Sequence, residues 1–400
     1  MADHEPGTIL EVQAGPHDRK DVVVSYPCTA GDGCGEGHAL FELGADGKPG
    51  VQVPCQCVGG CECEDEESCE CECELTWIVP ELKAGESKRY IIGEAEDACG
   101  CGCCGGDASG VSIDYIEGEK ADVKVGGKLF TSYIVKEGIA RPYCYPVLGP
   151  GGAEVTECAK KDHPHHRSLY VAQGSVNGFD NWSEMDGHAS SVNRALEVLA
   201  EGPVFGEFVS VNDWVSPKGQ QLLQEITCVR VYNHPDNCRI MDWDITWLAA
   251  YGGVFLGDTK EAGTLSVRMI ETAHARNGGT FRNSFGGVNE EECWGKKAEW
   301  VDYYGPIASG IGGIAIFDHP ENLRYPTTWH VRNYGLFTAN QWGLHDFTDD
   351  WSQRGDYALE EGDALNFTFR LYIHDGDTFH ADVAGKYLDF IYPPKVKAVQ

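Results

Sequence analysis

The sequence predicts an all-β protein: a small N-terminal β-sandwich followed by a large antiparallel β-supersandwich. Three observations carry that expectation. Short β-branched or aromatic runs recur along the whole chain, Gly, Pro, Asn and Asp punctuate them, and helix-period patterns are scarce. With 50 Gly and 18 Pro in 400 residues, many short strands joined by tight turns fit better than long helices.

The strand segments follow in order. Val22-Val23-Val24-Ser25-Tyr26, Thr76-Trp77-Ile78-Val79, Val123-Lys124-Val125 and Leu129-Phe130-Thr131-Ser132-Tyr133 are β-branched or aromatic runs bounded by turn residues. Ile226 to Tyr232 and Leu365 to Tyr372 alternate with period 2, as half-buried antiparallel strands do. Ala195 to Leu199 reads equally as helix or strand. A chain of 400 residues exceeds the usual limit of one domain. Cysteines crowd residues 28 to 104, a Gly/Asp/Ser stretch at 105–110 follows, and the sequence beyond is aromatic-rich. These shifts predict a Cys-rich β-sandwich over 1–120 and a supersandwich over 121–400.

The formal charge of −32 argues against nucleic acid as a partner, because it repels a phosphate backbone. No apolar run approaches the span of a membrane helix and no signal-peptide pattern opens the chain, so the expected setting is cytoplasmic, with no membrane partner. A homo-oligomer is compatible with the sequence.

Thirteen of the 18 cysteines fall early. The spacing Cys-x-Cys recurs in Cys55/Cys57, Cys61/Cys63, Cys69/Cys71/Cys73 and Cys99/Cys101/Cys103, which on strands aligns thiols on one face. Asp65 to Ser68 reads as the hairpin turn between two such strands. Thiolates at this density would take zinc or copper in a reducing compartment. Disulfides between strands and inert thiols are the other readings. Residues i and i+2 of one strand lie ~7 Å apart and do not bond to each other.

The richest chemistry lies in Asp162-His163-Pro164-His165-His166-Arg167, preceded by Ala140-Arg141-Pro142-Tyr143 and followed by Asn177-Gly178-Phe179-Asp180-Asn181-Trp182. Clustered imidazoles move protons or bind metal near neutral pH, and arginine forks hold carboxylates or sugar hydroxyls. An Asx-type turn whose histidines cap strand ends is the structural alternative. The candidate catalytic residues are His165 and His166 paired with Glu261, with His330 as a second acid. The candidate substrate contacts are Arg141, Arg167, Asn177, Trp182, Lys260, Arg268, Arg332 and Asn340. His163, His165, His330 and Glu261 could alternatively form a metal site. Asp318-His319-Pro320 partly echoes Asp162-His163-Pro164 and reads as a recurring turn.

The segment around Asp162 to Arg167, with Trp294 to Gly305, Gly312 to Asn322, Trp329 to Phe337, Asn340 and Gly257 to Glu261, resembles the bacterial DUF6807 family, also labelled "PmoA-like". Ala14 to Arg19 and Thr76 to Ser87 resemble that family's leading β domain, whereas the dense cysteine insertions depart from it. The resemblance implies a galactose-mutarotase-like β-supersandwich and a carbohydrate-active enzyme of epimerase, lyase or hydrolase type. Its partner would be a small-molecule carbohydrate. A non-catalytic sugar-binding or assembly protein is the alternative, as is a metal-storage protein centred on the cysteines.

Overall fold

A computed structural model describes residues 7–28, 38–59, 73–94, 110–235 and 237–399. The expected all-β class is what it shows. Two eight-stranded antiparallel sheets form the large layer pair. The first runs, in spatial order, Thr328–Val331, Leu336–Asn340, Ala262–Arg268, Leu169–Gln173, Tyr143–Val147, Lys128–Ile134, Lys120–Val125 and Val111–Ile116. The second runs Ser190–Ala200, Phe205–Val215, Gln221–Tyr232, Cys238–Leu248, Ala364–Asp375, Gly310–Asp318, Trp300–Ile307 and Thr280–Asn283.

Alternation along each strand builds the core between these sheets. Leu169, Val171, Leu265, Val267, Phe337 and Ala339 point inward from the first sheet and meet Val229, Trp243, Ile245 and Trp247 of the second. The ambiguous 195–199 segment is strand, held in register between Asn193 and the Phe205–Val215 partner. Period-2 alternation along 365–372 holds only at its start, because residues from Phe369 onward are buried on both faces. The cause is the helix Val383–Ile391, whose Val383 and Tyr387 pack on Tyr372 and Phe317 from outside.

The N-terminal part is a smaller sandwich. A three-stranded sheet (Arg19–Cys28, Cys73–Leu82, Cys55–Val58) faces a five-stranded one around Leu10, Val12, Val22, Val24, Trp77, Val79 and Tyr90. The three-stranded sheet is apolar on its reverse side too. Val23, Val58 and Ile78 pack there against the cluster of Phe205, Tyr232 and Phe317 of the large layers. One strand crosses the partition read from composition: Lys395–Val399 pairs with Ile9–Gln13 at the edge of the N-terminal sheet. Composition carries no signal for such a pairing, since register depends on the distant partner.

No helix among the described residues is long and apolar enough to cross a membrane. A cleft of about 860 Å³ opens between the N-terminal strands and the Val383–Ile391 helix, lined by His17, Arg19, Glu86, Leu388, Tyr392 and Lys395, away from the histidine motif.

Candidate active site

The face of the first large sheet turned away from the core is polar. Tyr170, Ser266, Thr338 and His330 stand directly opposite one another on four neighbouring strands and form one row across it. All four are buried, because loops carrying the histidine motif and residues 257–261 cover this face. The middle of the row is self-satisfied, with Ser266 Oγ donating to Thr338 Oγ1 at 3.0 Å. The two ends are not: Tyr170 Oη and His330 Nε2 have no hydrogen-bond partner among the described residues. Gly263 makes this crowding possible. A Cβ there would lie 1.7 Å from Thr338 Oγ1 and 2.1 Å from Ser266 Oγ.

Arg268 anchors the histidine loop to the end of its strand. Its Nε donates to Glu157 Oε1 at 3.0 Å, its Nη2 to Asp162 Oδ2 at 2.8 Å, and its Nη1 meets His166 Nδ1 at 3.2 Å. An arginine only donates, so His166 Nδ1 is the acceptor and the ring carries its proton on Nε2. Burial, aided by His165 and Arg268, pushes the His166 pKa far down, so the ring stays neutral. Against a desolvation that would raise it, His163 and Arg268 hold the Asp162 carboxyl far below its ordinary range. His163 stacks on His166 at 4.6 Å and 5°, and on Tyr334 at 4.6 Å and 13°, so three nearly parallel rings stack into one aromatic wall.

His330 is fixed in the opposite sense. Its Nδ1 lies 2.6 Å from the Lys260 carbonyl and must donate to it, which leaves the lone pair on buried Nε2. Burial lowers its pKa to about 4. At neutral pH the ring is therefore neutral and its Nε2 accepts rather than donates, which does not suit the expected role of second acid. Burial and the Arg141 charge likewise lower His165 to about 4. Glu261 reaches solvent at the mouth, yet desolvation by its surroundings raises its carboxyl above the ordinary value. Its charge bears on both Tyr170 and Tyr334, raising the pKa of each. Buried His166, Tyr170, Arg268 and His330 form the floor and the more exposed His163, His165, Lys260, Glu261, Arg332 and Tyr334 the rim of one polar recess. The His166–Arg268 and His330–Lys260 bonds, the His163/His166/Tyr334 stack and the Arg268 and Arg332 contacts with Tyr334 join them.

Several expected substrate contacts are structural instead. Arg141 is 1% exposed and donates to the backbone carbonyls of His165, Asn181 and Trp182, pinning the two loops together. Asn340 is buried; it donates to the Lys260 and Ala262 carbonyls and accepts from the backbone of Trp342 and Gly343. Asn177, at φ 51°, clamps its turn to Phe255 and Gly253. Trp182 is buried beneath His165 and His166, edge-on to both, so it supports the wall that Tyr334 presents. Arg167 is engaged by both oxygens of Glu184. Arg332 pairs with Glu290 at 3.0 Å while keeping a third of its surface exposed at the rim, beside Tyr334. Asp318 is buried, accepts from Asn322 and the Thr327 backbone, and holds a turn, as its echo of the motif suggested.

Sequence reasoning missed Tyr170, Tyr334, Glu157 and Glu184. Tyr170 reads as an ordinary strand aromatic; its one signal is a tyrosine on the face opposite Leu169 and Val171. The proposed histidine–Glu261 metal set does not converge: among the described residues, three ligand atoms come together only at Cys28, Cys57 and Cys73. Of the other expected thiol ligands, Cys55 is packed in the small core outside that group. Cys61, Cys63, Cys69, Cys71, Cys99, Cys101 and Cys103, with the expected hairpin turn, lie outside the described residues.

The neutral state of the histidines has a measurable consequence. Because the folded His165 and His330 pKa values lie below the ordinary 6.5, the unfolded chain binds more protons between those limits. Their contribution to stability should therefore fall as pH drops from about 6.5 to about 4. Urea midpoints at pH 7.5, 6 and 5 check this, and a His165→Gln/His330→Gln chain should show a shallower pH slope.

No curated protein matches the chain. Among solved structures, an alpha-mannosidase from Enterococcus faecalis V583 aligns over 98% of this chain and 46% of its own, at 9% identity and a TM-score of 0.46. A protein in the Glycosyl Hydrolase Family 38 from Enterococcus faecalis aligns over 100% of this chain and 48% of its own, at 10% identity and a TM-score of 0.47. The chain thus spans about half the length of each. The family match covers residues 120–388, which hold both large sheets almost entire and every residue of the recess, and by it the chain belongs to the Family of unknown function (DUF6807).

Proposed function

We propose that the recess binds a small carbohydrate and moves a proton at one of its carbons, as epimerases and lyases do. The observation that carries this reading is the pair of buried, unpartnered polar atoms, Tyr170 Oη and His330 Nε2, at the two ends of one cross-strand row. Polar atoms buried without partners are costly, and a ligand that supplies the missing hydrogen bonds offsets that cost. A sugar suits the surroundings. It has an apolar face for the Tyr334/His163 wall and hydroxyls that both donate and accept.

The roles follow from the tautomers. His330 Nε2 is the base, neutral and ready to accept a proton. His166 donates through Nε2–H and orients an oxygen of the substrate. Glu261, with its raised pKa, is the acid that returns a proton, and Arg332 with Lys260 faces negative charge developing at the mouth. His165 shields the wall from water.

The test is a panel of aldoses, ketoses and uronic acids incubated with the full chain in deuterated water. Carbon-bound deuterium is read by NMR and binding by calorimetry. A turning-over sugar should lose its exchange by roughly 100-fold or more in His330→Gln, with thermal unfolding near wild type. Binding without exchange would reduce the protein to a sugar-binding one. No binding across the panel would end the carbohydrate reading.

A further inference from the structure

Outside the recess, three thiols meet at the open end of the small sandwich. Cys28 ends the strand Arg19–Cys28, Cys73 begins Cys73–Leu82, and the two residues are direct register partners. Cys57, on the third strand, is opposite Leu75 and therefore a diagonal neighbour of Cys73 on the same face. Cys28 Sγ lies 3.3 Å from Cys73 Sγ and 3.9 Å from Cys57 Sγ, and all three sulfurs fall within 4.8 Å of one another. Cys28 is buried and the other two are half-buried, so one side of the group meets solvent.

We propose that Cys28, Cys57 and Cys73 form a three-thiolate site for a thiophilic d10 cation, Zn²⁺ or Cu⁺. Metal–sulfur bonds of ~2.3 Å in a tetrahedral site set sulfurs roughly 3.8 Å apart, close to the spacing found. Three strands of one sheet supply the ligands, so the triangle is held by backbone pairing rather than by a loop. On binding, the cation replaces three thiol protons, which pass to solvent; three metal–sulfur bonds form and nothing is oxidised or reduced. Cys55, opposite Trp77, lies outside this group of three.

The full chain, reduced and stripped of metal under nitrogen, is titrated separately with Zn²⁺ and Cu⁺ against a chromophoric competitor. Co²⁺ is then used to read sulfur-to-metal charge transfer. Cys73→Ser and Cys57→Ser, at half-buried positions, should each weaken one class of bound ion by roughly 100-fold or more and reduce the Co²⁺ band. Cys28→Ala should do the same, and unfolding of the metal-free variants shows that the sandwich persists. Cys144→Ser, a buried thiol of the large domain, should change neither readout. The proposal is overturned if stoichiometry and affinity are unchanged in both the Cys57 and Cys73 variants. Recovery of a Cys28–Cys73 disulfide from protein purified anaerobically overturns it too. Saturation by Zn²⁺ but not Cu⁺, or the reverse, identifies the cation.

Discussion

Replacing Arg268 with alanine is expected to cost the folded chain about 3–5 kcal/mol, because it leaves a buried carboxylate without its counter-charge. Arg268 and Glu157 are 2% and 4% exposed, so neither can turn to water when the other is removed. His274, 3.5 Å from Glu157 Oε1, and the half-exposed Lys160, 4.0 Å from Glu157 Oε2, are the remaining neighbours of opposite potential charge. The pH dependence has a fixed sign. Against desolvation, His274 and Arg268 hold Glu157 below its ordinary pKa, and Asp162 is held low by His163 and Arg268. Groups with depressed folded pKa values add stability above their unfolded pKa and lose it as pH falls through the folded one. The gap between wild type and Arg268→Ala, by urea unfolding, should therefore be widest near neutrality and narrow below pH ~4. Adding Glu157→Gln to Arg268→Ala should recover part of the loss, since the unpaired charge goes with it. A variant within about 1 kcal/mol of wild type at pH 7 would refute the assignment of this pair as the anchor of the histidine loop.

Trp247→Ala should produce the second large loss, again about 3–5 kcal/mol, this time from a cavity. Trp247 is wholly buried between the large sheets, with Trp214 at 5.2 Å, Phe367 at 5.5 Å and Trp342 at 5.7 Å. Trp342 stacks on it nearly parallel, and its backbone N–H is held by Asn340, which also holds the Lys260 carbonyl. The cavity thus opens beneath the segment that fixes His330. Unfolding midpoints should fall, and Trp247→Phe should recover most of the loss by retaining a ring. A loss below about 1 kcal/mol would mean the sheets close over the gap.

The fold class was legible because strand alternation and turn punctuation are local, and the sheets keep both. Legibility weakened wherever a residue's role depends on a partner far away in sequence. Arg141 and Asn340 carry side chains that suit a sugar, yet the backbone carbonyls they reach come from loops whose positions only the assembled sheets determine. Tyr170 lay hidden for the converse reason: within its strand it looks like packing, and only the register with Ser266, Thr338 and His330 sets it in a polar row. The histidine loop was readable from its density of titratable groups, but not the protonation of each ring. His166 and His330 differ because one faces an arginine and the other a carbonyl. Among the cysteines, repeated spacing drew attention to residues 55–73, whereas Cys28, with no neighbour at that spacing, becomes a member only through its pairing with Cys73.

The pairing of Ile9–Gln13 with Lys395–Val399 ties the first described strand to the last. During synthesis, Ile9–Gln13 must wait with one edge open until Lys395–Val399 has left the ribosome. An unpaired edge is a template for wrong partners. The small sandwich should therefore become protease-resistant later than the large sheets as the chain emerges, even though most of it is made before them.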